Sequence, residues 1–282
     1  GEMAVRCWVG DAMVYRTLGD VDRALEAVSE DDAEQVLKTI ESFAVECSIN
    51  KVWTSEALAY VVDEALQVYG GYGYSKEFPA ERAYRDARIT RIYEGTNEIN
   101  RLIIPTRLLK MTPELFDPAS ARRALEDDAD ATTSPVSSLA EERALLARAK
   151  RLAVLLLARA RGFYGDALAE EQELLGHVAD VTAEVYAVES ALLRAEKLVA
   201  ARGEASCSTQ LDIARVYTSD AADRMSHSAK QVAAALAESA AGADSAPLLE
   251  AVRRLTHHPT PDTVAARRRV ADAIVRAGRY HL

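Results

Sequence analysis

Two glycine-containing stretches carry the residues best suited to chemistry in this chain of 282 residues. The first is Gly70-Gly71-Tyr72-Gly73, where residues without side chains would let a phosphate group approach backbone N–H donors closely. The second is Tyr93-Glu94-Gly95-Thr96, which places a carboxylate at a predicted loop tip, where it could act as a general base. Each stretch alone also fits a simpler structure, because glycines commonly end helices and surface acids are common near helix N-termini.

Helices must position both stretches, because the chain has only 13 Gly and 8 Pro, too few turn residues for an all-β fold. Apolar spacing predicts a helix over 2–18, and a long one that begins after Ser29 and ends at Tyr69 before the glycines. A short helix is predicted from Pro79, and Thr96 is predicted to cap a last one that reaches Leu109. Further helices are predicted over 140–170, 172–201, 207–240, 246–256 and 262–279.

The predicted fold is all-α, with two helical bundles of which the second is a degenerate copy of the first. Residues 1–110 form the first bundle, 111–139 an acidic and proline-rich linker, and 140–282 the second bundle. The repeat is indicated by sequence similarity between residues 2–17 and 180–195, and between residues 51–57 and 215–221. Since nothing in the second half corresponds to residues 70–96, we expect the chemistry in the first half only.

In each copy, an acid lies on the apolar face of one predicted helix and a base lies on the apolar face of the next helix. An unpaired charge in a helical core is costly, so we predict the pairs Asp11–Lys51 and Glu189–Arg215. The alternative is that these side chains extend to the surface.

Composition excludes several functions. A net charge of −10 without a basic stripe argues against nucleic-acid binding, and no apolar run approaches the ~20 residues of a membrane span. The acidic residues near 126–130 argue against docking on anionic lipid. Cys7, Cys47 and Cys207 have neither zinc nor CxxC spacing, so we predict reduced core thiols, no metal site, and a cytoplasmic location, with the mitochondrial matrix as the alternative.

Taken together, the two stretches and their neighbours resemble the acyl-CoA dehydrogenase family. The resemblance rests on these motifs: Gln67-x-x-Gly-Gly-x-Gly-Tyr, Pro79-x-Glu-Arg, Arg85-Asp86, Tyr93-Glu-Gly-Thr and Glu98-Ile99. It covers residues 1–110 closely. The second half looks like the helical extension of the very-long-chain branch and its bacterial relatives.

The resemblance implies a role for each matching residue. Glu94 matches the catalytic base that removes the α-proton of an acyl-CoA thioester, while the β-hydrogen leaves as hydride to FAD. Tyr93 and Gly95 match substrate-binding positions. The positions that match FAD contacts are Gln67, Val68, Tyr69, Gly70, Gly71, Thr96, Asn97 and Glu98. The implied partners are the acyl-CoA substrate, electron-transfer flavoprotein or an equivalent acceptor, and a second copy in a homodimer.

The chain opens with Gly1-Glu2-Met3-Ala4 inside a helical pattern, so we expect a C-terminal piece of a longer enzyme. The family's N-terminal helical domain and middle β-domain, which supply most flavin contacts, are not in this sequence. The piece alone should therefore bind FAD poorly and be inactive. Two alternatives stay open: a piece of an acyl-CoA oxidase, and a non-catalytic helical assembly module.

Overall fold

The computed structural model describes residues 1–29, 31–126, 136–239 and 246–282, and within these ranges it contains helices and no strand. The predicted all-α class is therefore confirmed. No helix in the described ranges is long and apolar enough to cross a membrane. The helices are α1 (Glu2–Leu25), α2 (Ala33–Glu41), α3 (Ala44–Tyr69), α4 (Pro79–Ile89), α5 (Asn97–Met111), α6 (Pro118–Glu126), α7 (Ala140–Tyr164), α8 (Gln172–Arg202), α9 (Ser208–Ser239), α10 (Ala246–Leu255) and α11 (Thr263–Ala277).

Two of the predicted helix boundaries are wrong. Helix α1 continues through Gly19 to Leu25, because one glycine costs a helix only about 1 kcal/mol. The predicted helix from Ser29 to Tyr69 is two helices. Asp32 caps α2 by accepting from the Gln35 N–H at 3.0 Å. At its end the Ser42 hydroxyl donates to the Thr39 carbonyl, a local bond that competes with continued helix before α3 begins.

One hydrophobic core joins the two halves of the chain. Trp8 and Met13 of α1 belong to the same buried cluster as Leu155 of α7, Leu192 of α8 and Ile213 of α9. Each of these side chains is fully buried. The two predicted bundles therefore pack as one body, and the second half supports the helices that carry the first half's loops.

The predicted charge pairs are wrong, and the misassigned pairs are Asp11–Lys51 and Glu189–Arg215. Each acid reaches across to the other half instead. Asp11 Oδ2 lies 3.8 Å from Arg194 Nη1, and Glu189 Oε2 lies 3.0 Å from Arg16 Nη2. The equivalent helices α1 and α8 face each other, so acid and base partners come from opposite copies. Arg215 donates to the Ser138 carbonyl at 2.9 Å.

The segment predicted as a linker is helical where the structure describes it. A 3₁₀ turn spans Pro113–Phe116 and α6 follows. Phe116, Ala121 and Ala124 are buried in the common core, which explains why the chain folds here despite its prolines. Residues 127–135, with most of the acidic run, lie outside the described residues.

The three cysteines are free, but only Cys207 is buried. The prediction of core thiols is therefore wrong for Cys7 and Cys47, which are exposed.

Candidate active site

The loop between α4 and α5 holds Glu94 in an unusual backbone conformation. Glu94 has φ 55°, and it is the one non-glycine residue with positive φ in the described ranges. Gly95 follows with φ 75°. Left-handed geometry costs a residue with a side chain about 1–2 kcal/mol. The surrounding residues must therefore hold this turn in place.

Asn100, one turn into α5, is the first of these. Its Nδ2 donates to the carbonyl oxygens of Gly95 at 2.9 Å and Thr96 at 3.1 Å. A Cβ on Gly95 would lie 3.0 Å from that nitrogen, so this tight contact and the positive φ both favour glycine here. Thr96 caps α5 as predicted, by accepting from the Ile99 N–H at 3.3 Å.

Lys51 of α3 is the second residue that holds the turn. Its Nζ donates to the Gly95 carbonyl at 2.6 Å and to Asn97 Oδ1 at 2.7 Å. Desolvation lowers the pKa of Lys51, and the charges of Glu98 and Glu56 oppose this shift. Sequence reasoning noticed Lys51 as a base on an apolar seam but assigned it the wrong partner.

Asn97, predicted to bind the cofactor, turns its side chain into the protein and is only 2% exposed. Its Nδ2 donates to Ser55 Oγ at 2.9 Å and to Glu56 Oε1 at 3.1 Å. Glu56 in turn accepts two bonds from Arg101, at 2.7 and 2.9 Å. The Asn97 side chain thus ties the loop to α3, which leaves only its backbone for contact with a ligand.

Glu94 itself is exposed, beside Ile92 and Tyr93, which are 49% and 50% exposed. Within the described residues its carboxylate accepts no hydrogen bond, and neither its N–H nor that of Gly95 donates one. A carboxylate and two free N–H donors are therefore available at one turn. Nearby, the pKa of Glu98 is lowered by hydrogen bonds to its own backbone N–H and to Thr96, as expected at a helix N-terminus.

The glycine stretch ends α3. Gly70 has φ 60°, and a 3₁₀ turn spans Gly70–Tyr74. A Cβ on Gly73 would lie 2.4 Å from the Leu66 carbonyl oxygen, so close packing requires glycine there. Gly70 and Gly71 face open space instead. All five predicted contact residues, Gln67–Gly71, are exposed.

The structure does not bring the glycine stretch and Glu94 together. Lys51, which contacts Gly95, lies near the start of α3, and the glycine stretch follows its end at Tyr69. The 18 residues between them span about 27 Å of helix at 1.5 Å per residue. One chain therefore presents two separate exposed surfaces, one with a carboxylate and one with bare backbone.

The described residues contain no group of three or more His, Cys, Asp or Glu side chains arranged to hold a metal ion. The turn at Glu94 places a carboxylate beside backbone N–H donors.

Family models identify the class of protein to which this all-helical body belongs. Residues 1–109 match one model described as "Acyl-CoA dehydrogenase, C-terminal domain", and residues 148–254 match a second with the same description. The chain belongs to the acyl-CoA dehydrogenase family.

Individual relatives extend this similarity over the whole chain. A "Probable acyl-CoA dehydrogenase" of Bacillus subtilis is 38% identical over 290 residues, which covers 99% of this chain and 48% of the relative. The crystal structure of an acyl-CoA dehydrogenase complexed with FAD from Bacillus anthracis superposes with a TM-score of 0.91 at 34% identity, covering 100% of this chain and 49% of that one. The chain spans about half the length of these relatives.

A third relative has a higher sequence identity over a shorter region. The mitochondrial short-chain specific acyl-CoA dehydrogenase of Bos taurus is 54% identical over 68 residues, which is 24% of this chain and 16% of the relative.

Proposed function

We propose that this chain is the C-terminal part of an FAD-dependent acyl-CoA dehydrogenase in which Glu94 is the catalytic base. The observation that carries the proposal is the Glu94 turn: an exposed carboxylate that accepts no bond from any described residue, on a backbone conformation that its neighbours hold against strain. A surface acid without a function would not require such support.

In the proposed reaction, Glu94 takes the α-proton of an acyl-CoA thioester and the product is a trans-2-enoyl-CoA. The free N–H of Glu94 suits the thioester oxygen, on which negative charge develops as the α-proton leaves. FAD, when bound, accepts the hydride that leaves the β-carbon. Tyr93 and Gly95 flank the carboxylate, and their proposed role is to line the substrate's path.

The exposed residues of this chain fit a dinucleotide. Gly70 and Gly71 present backbone to open space at a helix end, which suits close approach by a diphosphate. We assign this contact to Gln67, Val68, Tyr69, Gly70 and Gly71, and a second contact, at the start of α5, to Thr96, Asn97 and Glu98.

The separation of these two contacts along α3, about 27 Å of helix from Lys51 to Tyr69, supports a homodimer. In our proposal each chain places its Glu94 turn at one flavin and its glycine stretch at the flavin of its partner. Electron-transfer flavoprotein, or an equivalent acceptor, would then reoxidise the flavin.

Three finer proposals complete this assignment. Because the second half resembles the extension of long-chain enzymes, we propose that the preferred substrate is a longer acyl chain. Residues 1–110 are the catalytic bundle and 140–282 are a helical extension. The 282 residues alone are inactive, because the family's other flavin-contacting domains are not among them.

The test is Glu94→Gln in the full-length protein, with Glu114→Gln, an exposed acid elsewhere, as the control. We expect Glu94→Gln to keep the visible absorbance of bound flavin while kcat falls about 10²–10⁴-fold. Turnover like that of the wild type would remove the base assignment. A protein that binds no flavin would contradict the enzyme proposal, and peroxide release during turnover would indicate an oxidase instead.

A further inference from the structure

We propose that Asp180, in the second half of the chain, is a positioning residue for the Glu94 turn and acts through Arg101, Glu56 and Asn97. The catalytic consequence rests on the proposed function, whereas the structural effect on the turn does not. The inference assigns the second half a part in active-site geometry in addition to its packing against the first.

The turn requires restraint from outside its own residues. Glu94 and Gly95 both have positive φ, and the loop is exposed. Asn100 and Lys51 bond to the turn directly, and Asn97, which is nearly fully buried, ties the end of the loop to α3 through bonds to Lys51, Ser55 and Glu56. Whatever fixes the positions of these partners therefore adds to the restraint that Asn100 places on the turn.

A continuous series of bonds leads from Asn97 to the second half. Asn97 Nδ2 donates to Glu56 Oε1 at 3.1 Å. The Arg101 guanidinium donates to both carboxylate oxygens of Glu56, at 2.7 and 2.9 Å. The Nε of Arg101 then donates to Asp180 Oδ1 at 2.7 Å. Since Arg101 has a planar, rigid fork, its orientation toward Glu56 depends on where Asp180 holds its Nε.

These bonds are partly buried, because Glu56 and Asp180 are 39% and 38% exposed while the arginine between them is more enclosed. The Arg101 side chain is only 22% exposed, and its charge is shared between one acid of each half. Without the Asp180 charge, the Arg101 guanidinium loses its bond to α8. The side chains of Glu56 and then Asn97 become more mobile, and the Lys51–Asn97 bond transmits this mobility to the loop.

Asp180 could instead be no more than a general tie between the halves, and a matched residue separates the two roles. Asp220 of α9 also accepts from an arginine, Arg267, which in turn bonds to Glu2 of α1 at 2.9 Å. Asp220 thus makes the same kind of link between the halves, but at a place without contact to the loop.

The experiment compares Asp180→Asn with Asp220→Asn in the full-length protein by hydrogen–deuterium exchange of the peptide that covers residues 91–97, in which the Ile92, Tyr93 and Asn97 amides donate hydrogen bonds and carry the signal. We expect exchange there to rise about three- to tenfold in Asp180→Asn and to stay unchanged in Asp220→Asn. Asp180→Glu, which restores the carboxylate, should recover most of the protection. Glu56→Gln, one bond nearer to the loop, should raise exchange at least as much as Asp180→Asn.

In the active enzyme, Asp180→Asn should lower kcat and leave KM for the acyl-CoA unchanged, because a misplaced base affects the chemical step. Unchanged exchange at 91–97 in Asp180→Asn or Glu56→Gln, or an equal rise in Asp220→Asn, would overturn the proposal. The exchange measurement needs neither flavin nor turnover, so its outcome is independent of whether the proposed reaction is correct.

Discussion

Arg16 and Arg194 occupy equivalent positions in the two copies, and each makes the same contacts with the opposite copy. The Arg16 guanidinium lies 4.6 Å from the centre of the Tyr186 ring, and that of Arg194 lies 4.6 Å from the Trp8 ring. Each also pairs with an acid on the facing helix. Helices α1 and α8 therefore meet about an approximate twofold axis, like the identical surfaces of a symmetric dimer.

The stronger of these two ion pairs predicts a pH dependence. Burial raises the pKa of Glu189, but bonds and charges from Lys150 and Arg16 outweigh it and hold the pKa below its ordinary value of 4.5. Because the pKa is lower in the folded state, ionised Glu189 stabilises the fold above pH 4.5 and loses this effect as pH falls through the lowered pKa.

Glu189→Gln should therefore lower the free energy of unfolding by about 1–2 kcal/mol at neutral pH. The difference from the wild type should narrow below pH 4.5, as urea unfolding across that range would measure. Asp11→Asn is the matched control. Its pair is longer, at 3.8 Å, and the carboxylate is 43% exposed, so the loss should be clearly smaller. An equal loss in both variants, or a constant difference at all pH values, would contradict this account.

Local signals explain which parts of the fold could be predicted. Thr96 as a cap and Pro79 at the first turn of α4 each act within a few residues, and the structure has both where the sequence indicated. The copies were also visible in sequence, because equivalent residues keep equivalent environments. The partner of each charged residue was not predictable, because pairing across copies or within them depends on how the helices pack.

The same reason applies to the candidate site. The sequence indicated Glu94 as a carboxylate at a loop tip within a Glu-Gly-Thr motif. The contact between Lys51 and Gly95 joins residues 44 positions apart, and the bond between Arg101 and Asp180 joins residues 79 apart. No local pattern marks such contacts, so the support of the turn required the structure.

Lys51→Met should weaken the support of the Glu94 turn directly. Methionine keeps the apolar stem but loses the donors to Gly95 and Asn97. We expect kcat to fall about 10- to 100-fold, with a loss of about 1 kcal/mol in unfolding free energy. Lys51→Arg should retain part of the activity, and Lys110→Met, at an exposed position of α5, should retain all of it. Full activity in Lys51→Met would show that Asn100 alone holds the turn.

Gly73→Ala should destabilise the protein, whereas Gly71→Ala should not. A Cβ at position 73 would lie 2.4 Å from the Leu66 carbonyl oxygen, while position 71 has nothing within 4 Å. The expected losses in unfolding free energy are about 2 kcal/mol or more for Gly73→Ala and within about 0.5 kcal/mol for Gly71→Ala. Thermal unfolding of both variants measures this. Similar stability in the two would mean that the end of α3 adapts more readily than its packing indicates.

Gly71→Ala has a separate expected effect on flavin. If a diphosphate approaches the backbone at Gly71, an added methyl group there obstructs it. Flavin titration should therefore show weaker binding in Gly71→Ala at unchanged stability. Unchanged affinity would place the diphosphate elsewhere on the exposed surface.

Glu94→Gly should make the protein more stable while it abolishes the proposed activity. Glycine adopts the φ of 55° at this position without strain, whereas alanine keeps the strain and lacks the carboxylate. Glu94→Gly should therefore exceed Glu94→Ala in unfolding free energy by about 1 kcal/mol, as urea titration would measure. Both should be inactive as dehydrogenases, because both lack the base. Equal stability of the two variants would contradict the prediction, because it would show that a side chain at position 94 costs the turn nothing.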